Sequence, residues 1–73
     1  MPVQVRNLNV KVNGAVMELP PGTTLSDLLC RLEIAPVMVA VELNREIVPK
    51  SLYEQREIRD GDSVEIVHFV GGG

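Results

Sequence analysis

Leu8, Val10 and Val12 alternate with the polar Asn9 and Lys11, the period-two pattern of a strand that buries one face. Asn13-Gly14 follows, the dipeptide that best tolerates positive φ at both central positions of a two-residue hairpin turn. A second strand is therefore expected over about residues 15–19, ended by Pro20-Pro21-Gly22, which removes backbone donors. Thr24, with Asp27 three residues later, reads as the start of a helix at about Leu25: the hydroxyl can accept from an exposed backbone N–H and the carboxylate suits the positive end of the dipole. Leu25, Leu28, Leu29 and Leu32 fall at i, i+3, i+4 and i+7, with Ser26, Asp27, Arg31 and Glu33 elsewhere. Such a stripe is one helix face wide and needs a sheet to cover.

Val37, Val39, Val41 and Leu43 alternate with Met38, Ala40 and Glu42, predicting a third strand whose valine phase faces the helix and whose Met38 and Ala40 point the other way. Glu46-Ile47-Val48 is a short run stopped by Pro49, and proline confines such a run to a sheet edge. Asp60-Gly61-Asp62 makes a turn into a last strand that sends Val64 and Ile66 to the core and Glu65, Val67 and Phe69 to the opposite face. Val3 and Val5 are out of phase with Leu8 and belong to a loose extension or follow a bulge. The order strand, strand, helix, strand, short strand, strand, with helix on one face only, is that of a two-layer α+β domain. If the third and last strands are neighbours, Met38, Ala40, Val67 and Phe69 form an apolar cluster on the open face, the kind of surface that docks a partner. The alternative is a scatter of surface apolar residues, which is ordinary.

Seventy-three residues make one small domain, with little room for a deep substrate cleft beside its core. At a typical stability per residue the fold is worth roughly 4–11 kcal/mol, leaving little for strained catalytic geometry, so a carrier, adaptor or binding module is favoured. The net charge of −3 and the presence of only two aromatics, Tyr53 and Phe69, argue against nucleic-acid binding, which needs a basic stripe and stacking rings. A single cysteine, Cys30, cannot form an internal disulfide, which suits a reducing compartment and makes the cytoplasm the expected location. No stretch approaches the roughly 20 apolar residues of a membrane span, and the first residues lack an export signal.

Few side chains invite chemistry. Cys30 has no neighbouring base in any motif and is expected to pack as a small helix residue rather than act as a nucleophile. His68, the one histidine, reads as a solvated strand residue, although its charge changes near neutral pH. Asp60 and Asp62 flank a glycine and serve a turn; no metal and no catalytic residue is assigned. What stands out is Gly71-Gly72-Gly73, directly after the run Val64-Glu65-Ile66-Val67-His68-Phe69-Val70. Glycines have no side chain to react but can enter a slot too narrow for others, so the reactive group of such a tail is its terminal carboxylate. Extended chain from Val70 to Gly73 reaches about 13–14 Å.

Val10-Lys11-Val12-Asn13-Gly14, Leu19-Pro20-Pro21-Gly22-Thr23-Thr24-Leu25, the block from Val41 through Pro49, and above all Arg59-Asp60-Gly61-Asp62-Ser63 leading to Gly73 resemble the ThiS-type sulfur carriers, ubiquitin-like β-grasp proteins of thiamine thiazole synthesis. The resemblance covers nearly the whole chain. It implies a β-grasp domain over residues 1–70, with a mixed four- to five-stranded sheet and one main helix packed on one face, and a flexible glycine tail over 71–73. It further implies that a ThiF-type adenylating enzyme uses ATP to convert the Gly73 carboxylate into an acyl-adenylate, and that a sulfur donor such as a persulfide enzyme turns this into a thiocarboxylate. Sulfur then passes to a ThiG-type thiazole synthase. Gly71 and Gly72 would thread the tail into partner sites, the Met38, Ala40, Val67 and Phe69 patch would bind the partners, and no cofactor would be bound beyond the covalent thiocarboxylate. The carrier would be a cosubstrate rather than an enzyme, and a monomer when free.

Two other readings share the activation chemistry. The small subunit of molybdopterin synthase usually has prolines before its final glycines, where this chain has Val67-His68-Phe69-Val70. A ubiquitin-like modifier would form an amide from Gly73 to target lysines. A β-grasp interaction domain with an inert tail is the third alternative, and it would show no ATP-dependent change.

Overall fold

A computed structural model describes residues 6–69, and within them the Asn13-Gly14 turn joins β1 (Leu8–Val12) to β2 (Ala15–Leu19). Val12 pairs with Ala15, leaving a two-residue loop with φ of 49° at Asn13 and 85° at Gly14, which matches the twist of the flanking strands. The same device recurs between β3 (Val39–Leu43) and β4 (Glu46–Val48). There Leu43 pairs with Glu46, and Asn44 and Arg45 take φ of 52° and 70°. β5 (Ser63–His68) completes a sheet of order β2-β1-β5-β3-β4. The β1–β5 pair is parallel and the other pairs are antiparallel, so the last strand in sequence is the central one in space.

Helix α1 (Leu25–Arg31) starts where the Thr24 and Asp27 spacing places it. Thr24 Oγ1 accepts from the Asp27 N–H at 3.1 Å, and Asp27 Oδ2 accepts from the Thr24 N–H at 3.0 Å, a reciprocal capping box. The next donors are satisfied from outside the helix: the Leu25 N–H donates to Arg56 O and the Ser26 N–H to Tyr53 O. At the other end the Glu33 N–H donates to Cys30 O and the Ile34 N–H to Leu29 O, with Glu33 at φ 59°. This closure normally selects glycine at the left-handed position. Seven residues are too few for a helix stable by itself; the leucine stripe holds it, with Leu25, Leu28 and Leu29 buried and Leu32 packed partly against the same cluster.

The core lies between that stripe and one sheet face, which contributes Val10, Val12, Leu19, Val39, Val41, Leu43, Val48, Val64 and Ile66. Two differences from the sequence pattern appear. The third strand begins at Val39 rather than Val37, because Pro36–Met38 forms a 3-10 turn in which the Met38 N–H donates to Ala35 O. Proline supplies the turn's fixed φ, and Val37 leaves the strand phase, 71% exposed. The segment between Pro49 and Asp60, without periodicity in the sequence, forms a 3-10 turn at Lys50–Leu52 and delivers Tyr53 and Ile58 into the core, 3% and 2% exposed. Its backbone lies against the start of α1: Thr24 bridges Glu57 and the Ile58 N–H donates to Thr23 O at 2.8 Å. Val3 and Val5, and the tail Gly71-Gly72-Gly73, lie outside the described residues.

Candidate functional site

The site is organised by β5, because Gly73 follows it in the chain and its central place in the sheet fixes where that part of the chain begins. The Asp60-Gly61-Asp62 turn sets its start. Asp60 Oδ1 accepts from the Asn9 N–H at 2.7 Å, and the Gly61 N–H returns a bond to Asn9 O at 2.8 Å. Asp62 Oδ2 accepts from the Arg59 N–H at 2.7 Å and its Oδ1 from Asn44 Nδ2 at 3.0 Å. Both carboxylates thus serve the turn and its neighbouring strand ends, and among the described residues no group of three or more His, Cys, Asp or Glu side chains is placed to hold a metal ion.

Both hairpin-turn asparagines spend their side chains on β5. Asn44 Oδ1 accepts from the Ser63 N–H at 2.9 Å while its own N–H donates to Ser63 O. Asn13 Oδ1 accepts from the Ile66 N–H at 2.7 Å, and its Nδ2 donates to Ile66 O at 3.2 Å. Sequence reading assigns these residues to turns only. Their targets are 19 and 53 positions away, and no local pattern carries that pairing.

β3 and β5 are neighbours, and the outer-face residues meet as expected. Ala40 pairs with Val67, and the Phe69 N–H donates to Met38 O at 2.9 Å just beyond the strand. Met38, Val67 and Phe69 are each about half exposed, at 51%, 52% and 52%, and Ala40 is half-buried. These four form one apolar strip beside the point where the described chain ends. Two members were not foreseen. Lys50 places its Nζ 5.1 Å from the centroid of the Phe69 ring, within cation–π range. Ile47, 75% exposed, pairs with Glu42, two residues along β3 from Ala40, and so widens the apolar face; its alternation with the buried Val48 was the available signal. Glu42 also faces Glu65 across β3 and β5, placing two carboxylates on the face beside the strip.

The other candidates fall away from this strip. Cys30 is exposed, contrary to the expectation that it packs, because it sits one position past Leu29 and off the leucine stripe. His68 is exposed at the end of β5. Gly71, Gly72 and Gly73 lie outside the described residues, so the geometry of the site is that of the surface leading to them.

Comparison with known proteins fits this arrangement. The model of the ThiS family matches residues 10–73. The sulfur carrier protein ThiS of Bacillus subtilis (strain 168) is 42% identical over 65 residues, covering 88% of this chain and 98% of that protein. A thiazole synthase of Paramagnetospirillum magneticum is 44% identical over 66 residues, 90% of this chain, but the chain spans only 20% of that protein's length. The crystal structure of the thiamine biosynthesis protein ThiS from Geobacter metallireducens superposes with a TM-score of 0.76 at 33% identity, over 90% of this chain and all of that one. The ubiquitin-like domain of yeast Ddi1, at a TM-score of 0.61 and 13% identity over 99% of this chain and all of that one, shares the β-grasp fold alone. With the family match running from β1 through β5 to the final glycines, the chain belongs to the ThiS family.

Proposed function

We propose that this chain is a sulfur carrier of thiamine biosynthesis, with Gly73 as the residue that is charged and discharged. The observation that carries the reading is the family match extending through residue 73, because it includes the glycines as well as the domain. The Gly73 carboxylate has an ordinary pKa near 3.5 and is ionised in the cell, so its oxygen can attack the α-phosphorus of ATP and expel pyrophosphate. The acyl-adenylate then has AMP as a leaving group, where the bare carboxylate has only a poor one. The terminal sulfur of a persulfide attacks the carbonyl carbon and AMP departs, leaving an acyl disulfide; a thiol then attacks the donor's sulfur, forms a disulfide with it and releases the thiocarboxylate.

An ATP-dependent activating enzyme supplies the adenylation site, a persulfide enzyme the sulfur, and a thiazole synthase receives it. The thiazole synthases that contain a region similar to this chain favour the last of these. The strip of Met38, Ala40, Val67 and Phe69 is the docking surface: it adjoins the strand that leads to Gly73, so a partner seated on it has the tail at hand. Gly71 and Gly72 leave the tail narrow enough for a closed channel. The chain acts as a cosubstrate in the cytoplasm, with 1–70 as the folded carrier and 71–73 as its arm. Incubation with ATP, the activating enzyme and a sulfur source should raise the intact mass by about 16 Da, oxygen replaced by sulfur. An unchanged mass would refute the carrier reading, and larger conjugates would favour a protein modifier.

A further inference from the structure

We propose that Asn13 is a positioning residue for the reaction at Gly73, its side-chain amide standing in for a missing strand beside β5 and fixing the direction in which the chain leaves the sheet. The inference rests on the carrier reading above. The β1–β5 ladder is short: Lys11 pairs with Ser63 and Val12 with Val64, the Asn13 N–H donates to Val64 O, and the chain then turns away at Gly14. Ile66 would lose lateral partners on that side. The Asn13 amide supplies both, accepting from the Ile66 N–H at 2.7 Å and donating to Ile66 O at 3.2 Å, the donor and acceptor pair that a strand neighbour would offer.

Among the described residues the ladder of β5 continues beyond Ile66 only with β3, through Ala40 with Val67 and Val39 with His68. Among them Asn13 is thus the last lateral hold on the β1 side. Gly73 lies four positions beyond Phe69, whose N–H on Met38 O is the last bond to the β3 side among the described residues, a span of at most about 13–14 Å, so a change of about 10° in the direction in which β5 ends, once only one neighbour holds it, displaces the far end by about 2 Å. Small misplacements of a reacting group are costly in rate. Affinity depends less on Asn13, because the apolar strip is held by β3.

Asn44 provides a matched control. It too occupies a positive-φ turn position, at 52° against 49° for Asn13, and makes two side-chain hydrogen bonds, to the Ser63 N–H and to Asp62. Those grip the opposite end of β5. Glycine accepts either backbone conformation, so Asn13→Gly and Asn44→Gly remove the side-chain bonds and spare the turns.

The experiment is ATP–pyrophosphate exchange by the cognate activating enzyme with the full chain, in wild-type, Asn13→Gly and Asn44→Gly forms, alongside melting temperatures and amide hydrogen exchange. Both variants should melt lower by similar amounts, with faster exchange at Ile66 in the first and at Ser63 in the second. Asn13→Gly alone should lower kcat, by roughly five- to tenfold with KM within about twofold. Equal kcat in all three, or equal losses in the two variants, would overturn the positioning role while leaving the carrier reading intact. A folded wild-type chain that supports no exchange would overturn both.

Discussion

Truncating Phe69 to alanine separates docking from folding. The ring is 52% exposed, so its burial contributes at most about half of the roughly 1.5–3 kcal/mol of a fully buried large apolar side chain. The Lys50 ammonium, 5.1 Å from the ring centroid, adds about 0.5–1 kcal/mol at an exposed site. The combined loss is at most about 1.3–2.5 kcal/mol against a fold worth roughly 4–11 kcal/mol, and the domain stays folded. On a docking surface an aromatic anchor of this kind is worth about 2 kcal/mol or more to the complex, equivalent to a weakening of about 30-fold in Kd. Titration of the variant against the activating enzyme and against thiazole synthase, with a thermal melt of the free chain, measures both quantities. Tyr53→Ala supplies the contrast: at 3% exposure its loss should cost about 3–5 kcal/mol and put folding itself at risk. A Phe69→Ala chain that melts near wild type and binds both partners with unchanged affinity would refute the assignment of the strip as a docking surface.

Glu33→Gly should stabilise the domain by about 0.5–1 kcal/mol, because it relieves a left-handed residue at some cost in unfolded-chain entropy; a rise in melting temperature of about 2–8 °C is expected, and no rise would contradict the helix closure at φ 59°. Cys30→Ser should change neither stability beyond about 0.5 kcal/mol nor the yield of thiocarboxylate, since the thiol is exposed and the proposed attachment site is Gly73; a lost yield in intact-mass analysis would give Cys30 a chemical role. Gly72→Val should abolish ATP–pyrophosphate exchange with an unchanged melting curve, and normal exchange would remove the threading argument.

The elements with regular periods were legible in the sequence. Alternation located β1, β3 and β5, Asn13-Gly14 the first hairpin and with it β2, Pro49 the end of the short β4, and Thr24 with Asp27 the helix start, because each depends on neighbours within a few residues. Val37 was misplaced because alternation continues through Met38 while Pro36 imposes a turn. Tyr53 and Ile58 reach the core from a segment crossing the start of α1, where burial follows tertiary contact and no period marks it. The central position of β5 and the grip of Asn13 on Ile66 join residues more than 50 positions apart. The Met38, Ala40, Val67 and Phe69 strip was readable by parity once β3 and β5 were neighbours, whereas Lys50 joins it only through the turn after Pro49.

The central claim is that the reactive carbon is the carboxyl carbon of Gly73, and fragmentation of the intact charged chain by mass spectrometry tests it most directly. After incubation with ATP, the activating enzyme and a sulfur source, every fragment containing Gly73 should carry about 16 Da of additional mass from the replacement of oxygen by sulfur, and fragments ending before it should carry none. Additional mass found on fragments that lack Gly73, such as those around Cys30, would contradict the account.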